Sequence, residues 1–359
     1  MRKLFDVLTN YNYVLISLVW FIMQSILYFH FGFVTDLEGL KYQSDASLFI
    51  SSFESNPQRL FYSFYPFIIA IFLKLNIGLK GVLFFQLFVN TIATFRFYQI
   101  ADKIFVQKRI ATVITLLLIL SFQIQMWNFH LYTESLFISG IIIYSYYLLN
   151  RSLSNTKNIL MLSFLFVVLS FLRPTGVLLA IPTAVYLFSH RANEGKMNRK
   201  IGIWFLMVAL IVYANLQFST GQFFSFVQKA YANSWVIWGY DGFENINSLS
   251  SISGFIELLA YRKLYYFSMV RPYYSDSHNL LEMSFYPIYV LAIIGFIPFW
   301  KNNRKVFAFV FSTIVIISVF SILTFINWHG RFIAPILPFF ILISGFGIQF
   351  LLKKNKISK

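Results

Sequence analysis

Apolar positions along the chain fall into long blocks. Ten of these approach the roughly 20 residues a helix needs to cross a bilayer: about 11–33, 82–100, 110–127, 134–149, 159–172, 175–190, 201–218, 286–300, 306–326 and 332–352. The pattern predicts an all-α, polytopic membrane protein with about ten transmembrane helices. The first block follows Arg2 and Lys3, as in a signal peptide. No small-residue cleavage site follows Phe33, however, and the block is long enough to span, so a retained helix is expected. A further apolar stretch, 61–75, contains Pro66 and has Lys74 near its end. Its length is marginal for a span and suits a helix lying in the membrane interface.

The basic residues decide how that stretch is placed. With 61–75 kept outside, the inner segments hold 19 of the 29 Lys and Arg residues and only three acids, Asp6, Asp102 and Glu194. The outer side then carries ten basic and ten acidic residues and balances. If 61–75 spanned, every later loop would change sides and 17 of those 19 would face outward, which the positive-inside rule strongly disfavours. The chain is therefore expected to be one membrane domain, 1–359, with a first outer loop at about 34–81 that includes juxtamembrane helices. A second long outer loop is expected at about 219–285, with both termini cytoplasmic.

Composition agrees with this. The chain is 58% hydrophobic and 12% charged, against about 25% charged in ordinary soluble domains. The net charge of +16 would point to nucleic acid in a soluble protein. Here it is the inner-side bias of a membrane protein, and no nucleic-acid partner is expected. The chain has no cysteine, which excludes disulfides, thiolate metal sites and a catalytic thiol. Neither an internal repeat nor a separate soluble domain is evident.

The spanning blocks contain no Asp or Glu away from their ends. Ion-coupled transporters and proton relays usually place ionisable groups at mid-membrane depth, so that class is disfavoured. The carboxylates collect in the outer segments instead. In the first loop, D-x-x-x-F-x-x-x-F puts Asp45, Phe49 and Phe53 on one helical face, with Asp45 starting a surface helix. Ser44-Asp45 equally suits a capping carboxylate at a helix N-terminus. In WNFHLYTESLF, residues 127–137, His130 and Glu134 would share a face if the helix began early. A third metal ligand is lacking there, and an aromatic belt with Glu134 at a helix start is the plainer reading of the same residues. Arg173-Pro174 interrupts two apolar blocks, with Gly176 completing a reversal. Arg173 is placed either to bind an anionic headgroup through its guanidinium fork or to snorkel from a helix end. His329 and Arg331 precede the last block and carry the same two readings. Together these groups describe one outer surface suited to a lipid-linked phosphate.

The order of segments resembles the GT-C superfamily of membrane glycosyltransferases, and within it the PIG-V-like mannosyltransferases. The elements that carry the resemblance are Asp45 in the first outer loop, Phe64-Tyr65-Pro66, Tyr132-Thr133-Glu134-Ser135-Leu136-Phe137, Arg173-Pro174-Thr175-Gly176, and Arg331-Phe332 with Pro335 and Pro338. The family's first-loop motif has Trp before the Asp and an aromatic pair after it. This chain has Ser44 before Asp45 and Ser47-Leu48-Phe49 after it.

The resemblance implies transfer of mannose or another hexose from a polyprenyl-phosphate sugar to a hydroxyl of a lipid, glycan or protein acceptor, on the extracytoplasmic face and with inversion. It makes Asp45 the general base and gives the donor phosphate to Arg173 and Arg331, with His329 beside them. Glu134 would orient an acceptor or an arginine. No cofactor or metal is required by this chemistry, although some GT-C relatives use a metal. An O-antigen polymerase or ligase acting on diphosphate-linked glycans, and a lipid or solute transporter, are the competing classes. The inward charge bias suits a bacterial inner membrane and also an endoplasmic reticulum membrane. Short length and the absence of sorting motifs favour the bacterial one.

Overall fold

The computed structural model describes residues 12–54, 57–189, 205, 252–324 and 330–357. Among these residues the secondary structure is helical, and the only strand-like pairing is an isolated parallel bridge between Val34 and His130. Among the described residues five segments are long and apolar enough to cross a membrane: Asn12–Phe31, Leu79–Ile104, Asp276–Asn302, Arg304–Thr324 and Ala334–Lys353. Lys108–Leu120 and Phe122–Phe129, bent by 61°, count as a sixth if read as one broken span. The chain is a multi-pass, all-α integral membrane protein.

The expected ten spans are not all matched by length. The blocks at 134–149, 159–172 and 175–190 form Glu134–Asn150, Thr156–Leu172 and Pro174–Phe188, none longer than 17 residues. The block at 201–218 lies outside the described residues apart from Phe205. Within the first loop, 61–75 yields the helix Phe64–Lys74. Its 11 residues reach only about 16 Å at 1.5 Å per residue, roughly half the apolar thickness of a bilayer.

The chain divides into two compact units. The first takes in residues 1–176, 286–307 and 337–359. Its helices are α1 (Asn12–Phe31), α2 (Glu38–Ser51), α3 (Phe64–Lys74), α4 (Leu79–Ile104), α5 (Lys108–Leu120), α6 (Glu134–Asn150), α7 (Thr156–Leu172), α11 (Tyr286–Asn302) and α13 (Leu337–Ile357). The second takes in 177–285 and 308–336, with α8 (Ala180–Phe188), α9 (Ile252–Phe267), α10 (Asp276–Met283) and most of α12 (Arg304–Thr324).

In the first unit α4 packs along α6, and the two run parallel. Near the start of α4, Gln86 Nε2 donates to the carbonyls of Asn128 (2.9 Å) and His130 (3.1 Å), just before α6 begins. At the far ends, Asn150 Nδ2 donates to the Gln99 carbonyl (2.9 Å) and Lys103 Nζ to that of Leu149 (2.6 Å). Near those same ends, Arg96 and Arg151 both lie over the ring of Tyr146, at 4.5 and 5.3 Å. The ends of α4 and α6, both assigned to one side by charge, thus lie together.

The bend after α5 falls at Ser121, whose backbone is extended (φ −72°, ψ 99°). A broken helix frees carbonyls that lipid cannot satisfy. Here Ser121 Oγ takes the Leu117 carbonyl at 2.6 Å and Gln125 Nε2 takes that of Leu118 at 3.0 Å. The same amides extend into a seam across the unit. Gln24 of α1 donates to Gln125 Oε1 (2.9 Å), Asn128 donates to Gln24 Oε1 (3.1 Å), and Ser135 of α6 donates to Asn128 Oδ1 (2.7 Å). α11 and α13 touch backbone to backbone. A Cβ on Gly295 would meet the Ile343 carbonyl oxygen at 2.2 Å, and one on Gly347 would meet that of Leu291 at 2.1 Å. Small residues at such a crossing let membrane helices approach closely.

In the second unit Tyr266 at the end of α9 donates its hydroxyl to the Phe332 carbonyl (3.0 Å), and Tyr186 of α8 meets Phe309 of α12 edge-on at 6.3 Å. Ser275 caps α10 by accepting from the His278 amide at 3.3 Å.

Candidate functional site

The first loop enters the site through the Val34–His130 bridge. Val34 N donates to the Phe129 carbonyl and Leu131 N to the Val34 carbonyl, both at 2.8 Å. This fixes the segment before α2 beside the turn that precedes α6, and Tyr132 donates its hydroxyl to Asp36 Oδ1 at 3.3 Å.

α2 starts at Glu38, seven residues before Asp45, so Asp45 sits in mid-helix and does not cap it. The expected Asp45, Phe49 and Phe53 stripe does not form. Phe53 lies beyond the helix at φ 57° and is 81% exposed. The buried face is instead Gly39, Tyr42, Asp45 and Ala46. The helical spacing of Gly39, Tyr42 and Ala46 determines this face, because it is the row that meets protein: Gly39 packs on Leu131, and the Tyr42 ring meets that of Tyr65 at 5.2 Å.

Asp45 is 4% exposed and its Oδ2 accepts from Arg59 Nη1 at 2.9 Å. The Arg59 side chain keeps 35% of its surface open, so the pair is buried on the acid side and reachable on the other. Arg59 stands in the 3-10 segment Pro57–Tyr62, held by Phe61, which stacks on Phe171 near the end of α7 (5.8 Å between centroids, 6° between planes).

Two residues after Phe171 comes Arg173. Its Nη1 donates to Glu134 Oε1 at 2.8 Å, with the side chains 3% and 0% exposed. The guanidinium also lies 5.6 Å from the ring of Phe137, one turn along α6 from Glu134. Glu134 is the first residue of α6, where a carboxylate complements the helix dipole. The reversal that delivers Arg173 depends on Gly176. Its N–H donates to the Arg173 carbonyl (2.9 Å), and a Cβ there would come within 2.1 Å of the Leu169 carbonyl oxygen.

Tyr65 links the two ion pairs. It packs on Tyr42 from the Asp45 helix and donates to Gln86 Oε1. Burial, with Tyr42 and then Glu134 adding to it, holds its phenol well above the usual range. The site therefore reads, in order, Arg59–Asp45, Tyr42, Tyr65, Glu134–Arg173, all within the first unit.

Of the residues singled out in the sequence, the structure brings Glu134 and Arg173 together and buries Asp45 in the same unit. Arg331 is buried in the second unit, its guanidinium 6.0 Å from the Phe332 ring. His329 lies outside the described residues. His130 has extended backbone and directs Nδ1 at the Met126 carbonyl (3.0 Å) among Trp127, Tyr132 and Phe31. It therefore shares no helix face with Glu134. Among the described residues no three His, Asp or Glu side chains gather as a metal-ligand set. Sequence reasoning passed over Arg59 and Gln86, whose only signal was a polar residue inside or beside an apolar stretch.

No protein-family model and no curated protein matches the chain.

Proposed function

We propose that this protein is a membrane glycosyltransferase that moves a hexose, mannose in the first instance, from a polyprenyl-phosphate donor to an acceptor hydroxyl on the extracytoplasmic side. The observation that carries the reading is the buried Asp45 carboxylate, held by a partly open Arg59 in a loop fixed against the start of α6. The order of elements shared with GT-C enzymes supports it.

In this reaction Asp45 takes the proton of the acceptor hydroxyl. The acceptor oxygen attacks the anomeric carbon, the bond from that carbon to the phosphate oxygen breaks, and polyprenyl phosphate leaves with inversion at the sugar. The leaving group is already a phosphate and needs no proton from an acid. Glu134 and Arg173, closed on each other, act as the frame that positions α6 and the turn after α7. The resemblance assigns donor phosphate contact to Arg173 and Arg331.

The test is sugar transfer from defined polyprenyl-phosphate sugars in proteoliposomes by wild type and Asp45→Asn. General-base assistance is worth about 10²–10⁴-fold, so the variant should lose turnover by that factor while inserting normally. Undiminished turnover in Asp45→Asn sinks the assignment of the base. Consumption of diphosphate-linked glycans alone, or movement of substrate without transfer, sinks the class.

A further inference from the structure

Arg271, in the second unit between α9 and α10, is 1% exposed. Asn279 clamps its backbone: Arg271 N–H donates to Asn279 Oδ1 (2.9 Å), and Asn279 Nδ2 donates back to the Arg271 carbonyl (3.0 Å). One face of the guanidinium lies over the Tyr265 ring, 4.1 Å from its centre. Nη1 donates to the carbonyls of Ser268 and Val270.

The other two nitrogens, Nε and Nη2, are buried with no hydrogen-bond partner among the described residues, and no described carboxylate forms an ion pair with Arg271. Nε–H and Nη2–H point along one edge of the planar group. That edge is the two-pronged fork that fits two oxygens of a phosphate or carboxylate. A guanidinium withdrawn from water with its fork bare is strongly unfavourable. Here Tyr265 covers one face of the group and the two carbonyls hold Nη1, while Nε and Nη2 stay without a partner among the described residues.

Glu282 of α10 is also buried in this unit. Glu282 faces His278 (Oε1 to Nε2, 3.5 Å), and the His278 ring stacks on Tyr274 at 3.8 Å. Burial, then Tyr273 and Glu282, push the Tyr274 hydroxyl far above its usual range while Arg271 opposes the rise. Tyr274 therefore stays a donor at neutral pH.

We propose that the second unit holds a phosphate-binding site in which the Nε/Nη2 edge of Arg271 grips two oxygens of a phosphate monoester or of free phosphate. The site does not depend on Asp45 acting as a base.

The test uses the full chain in neutral phosphatidylcholine nanodiscs, with thermal stability and equilibrium binding as readouts and chloride at matched ionic strength as control. One arm adds inorganic phosphate; the other places phosphatidic acid in the disc. Saturable binding in either arm supports the site, and the arm that responds identifies the source as free phosphate or a lipid headgroup. Charge-assisted hydrogen bonds of this type correspond to about 10- to 100-fold in affinity. Arg271→Met should lose that factor. Arg271→Lys, which keeps the charge and the backbone clamp but not the fork, should lose much of it and decides the matter if the methionine variant does not fold. Asp45→Asn should bind as wild type does, since that carboxylate takes no part in gripping phosphate, so failure of the base assignment leaves this site standing. No saturable binding in either arm, or wild-type affinity in a folded Arg271→Lys protein, overturns the proposal.

Discussion

Replacing Glu134 by Gln keeps the volume of the side chain and removes its charge, leaving the Arg173 guanidinium buried opposite a neutral amide. The two side chains are 0% and 3% exposed and meet at 2.8 Å, so water cannot take over the lost interaction. Breaking a buried pair from one side costs about 3–5 kcal/mol, because an uncompensated charge remains. Spread over 359 residues at about 2.1 cal/mol/K each, that is a fall of at least about 4 °C in unfolding midpoint. Removing both charges is different, since an apolar pair of similar volume is often neutral. Glu134→Leu with Arg173→Met should therefore be more stable than Glu134→Gln alone, and the double-mutant cycle should show coupling of roughly 3 kcal/mol. The assay is reversible thermal or denaturant unfolding in one detergent, with each variant checked for monodispersity. If Glu134→Gln lies within about 1 kcal/mol of wild type, as exposed ion pairs do, or if the double variant loses the sum of both singles, the pair does not carry the load assigned to it.

Two further outcomes follow from packing and titration. Gly347→Ala pushes a methyl carbon to within 2.1 Å of the Leu291 carbonyl oxygen; overpacking of this kind typically costs about 1–3 kcal/mol, read as a lower unfolding midpoint, and an unchanged midpoint would mean that α11 and α13 do not cross there. Tyr274 is held protonated in the folded chain, so folded protein binds a proton that unfolded protein releases above about pH 10, and stability should fall as pH rises beyond that value. Tyr274→Phe should flatten this alkaline loss, and an identical alkaline limb in both proteins would count against the buried phenol.

Much of the scaffold was legible because lipid imposes a simple rule on sequence. Blocks of apolar residues became α1, α4, α11, α12 and α13, and basic residues marked the ends that do gather around Tyr146. The 61–75 stretch, set apart by charge, forms a helix too short to cross. What escaped was whatever depends on partners far along the chain. Glu134 and Arg173 each stand out in the sequence, and the charge pattern puts them on one side, but nothing in a spacing of 39 residues announces a hydrogen bond. Asp45 looked like a helix start because Ser-Asp is a capping pair. The helix begins at Glu38 because the intervening residues are compatible with helix and Gly39 and Tyr42 pack on Leu131 and Tyr65. Arg271 carried no motif at all, since its setting comes from Tyr265, Ser268 and Asn279, each ordinary in sequence.

The amide seam of Gln24, Gln125 and Asn128 also dictates timing during synthesis. Gln24 leaves the ribosome about a hundred residues ahead of both partners, at sequence separations of 101 and 104. Until those residues arrive, α1 holds in lipid an amide that this seam has not yet satisfied. Once the bent segment and the first turn of α6 are made, four side chains from three parts of the chain can close on one another. Before then α1 can pair only with what is already made, such as Asn90 of α4, which accepts from the Trp20 indole at 2.8 Å, and the seam adds the later elements to that pair.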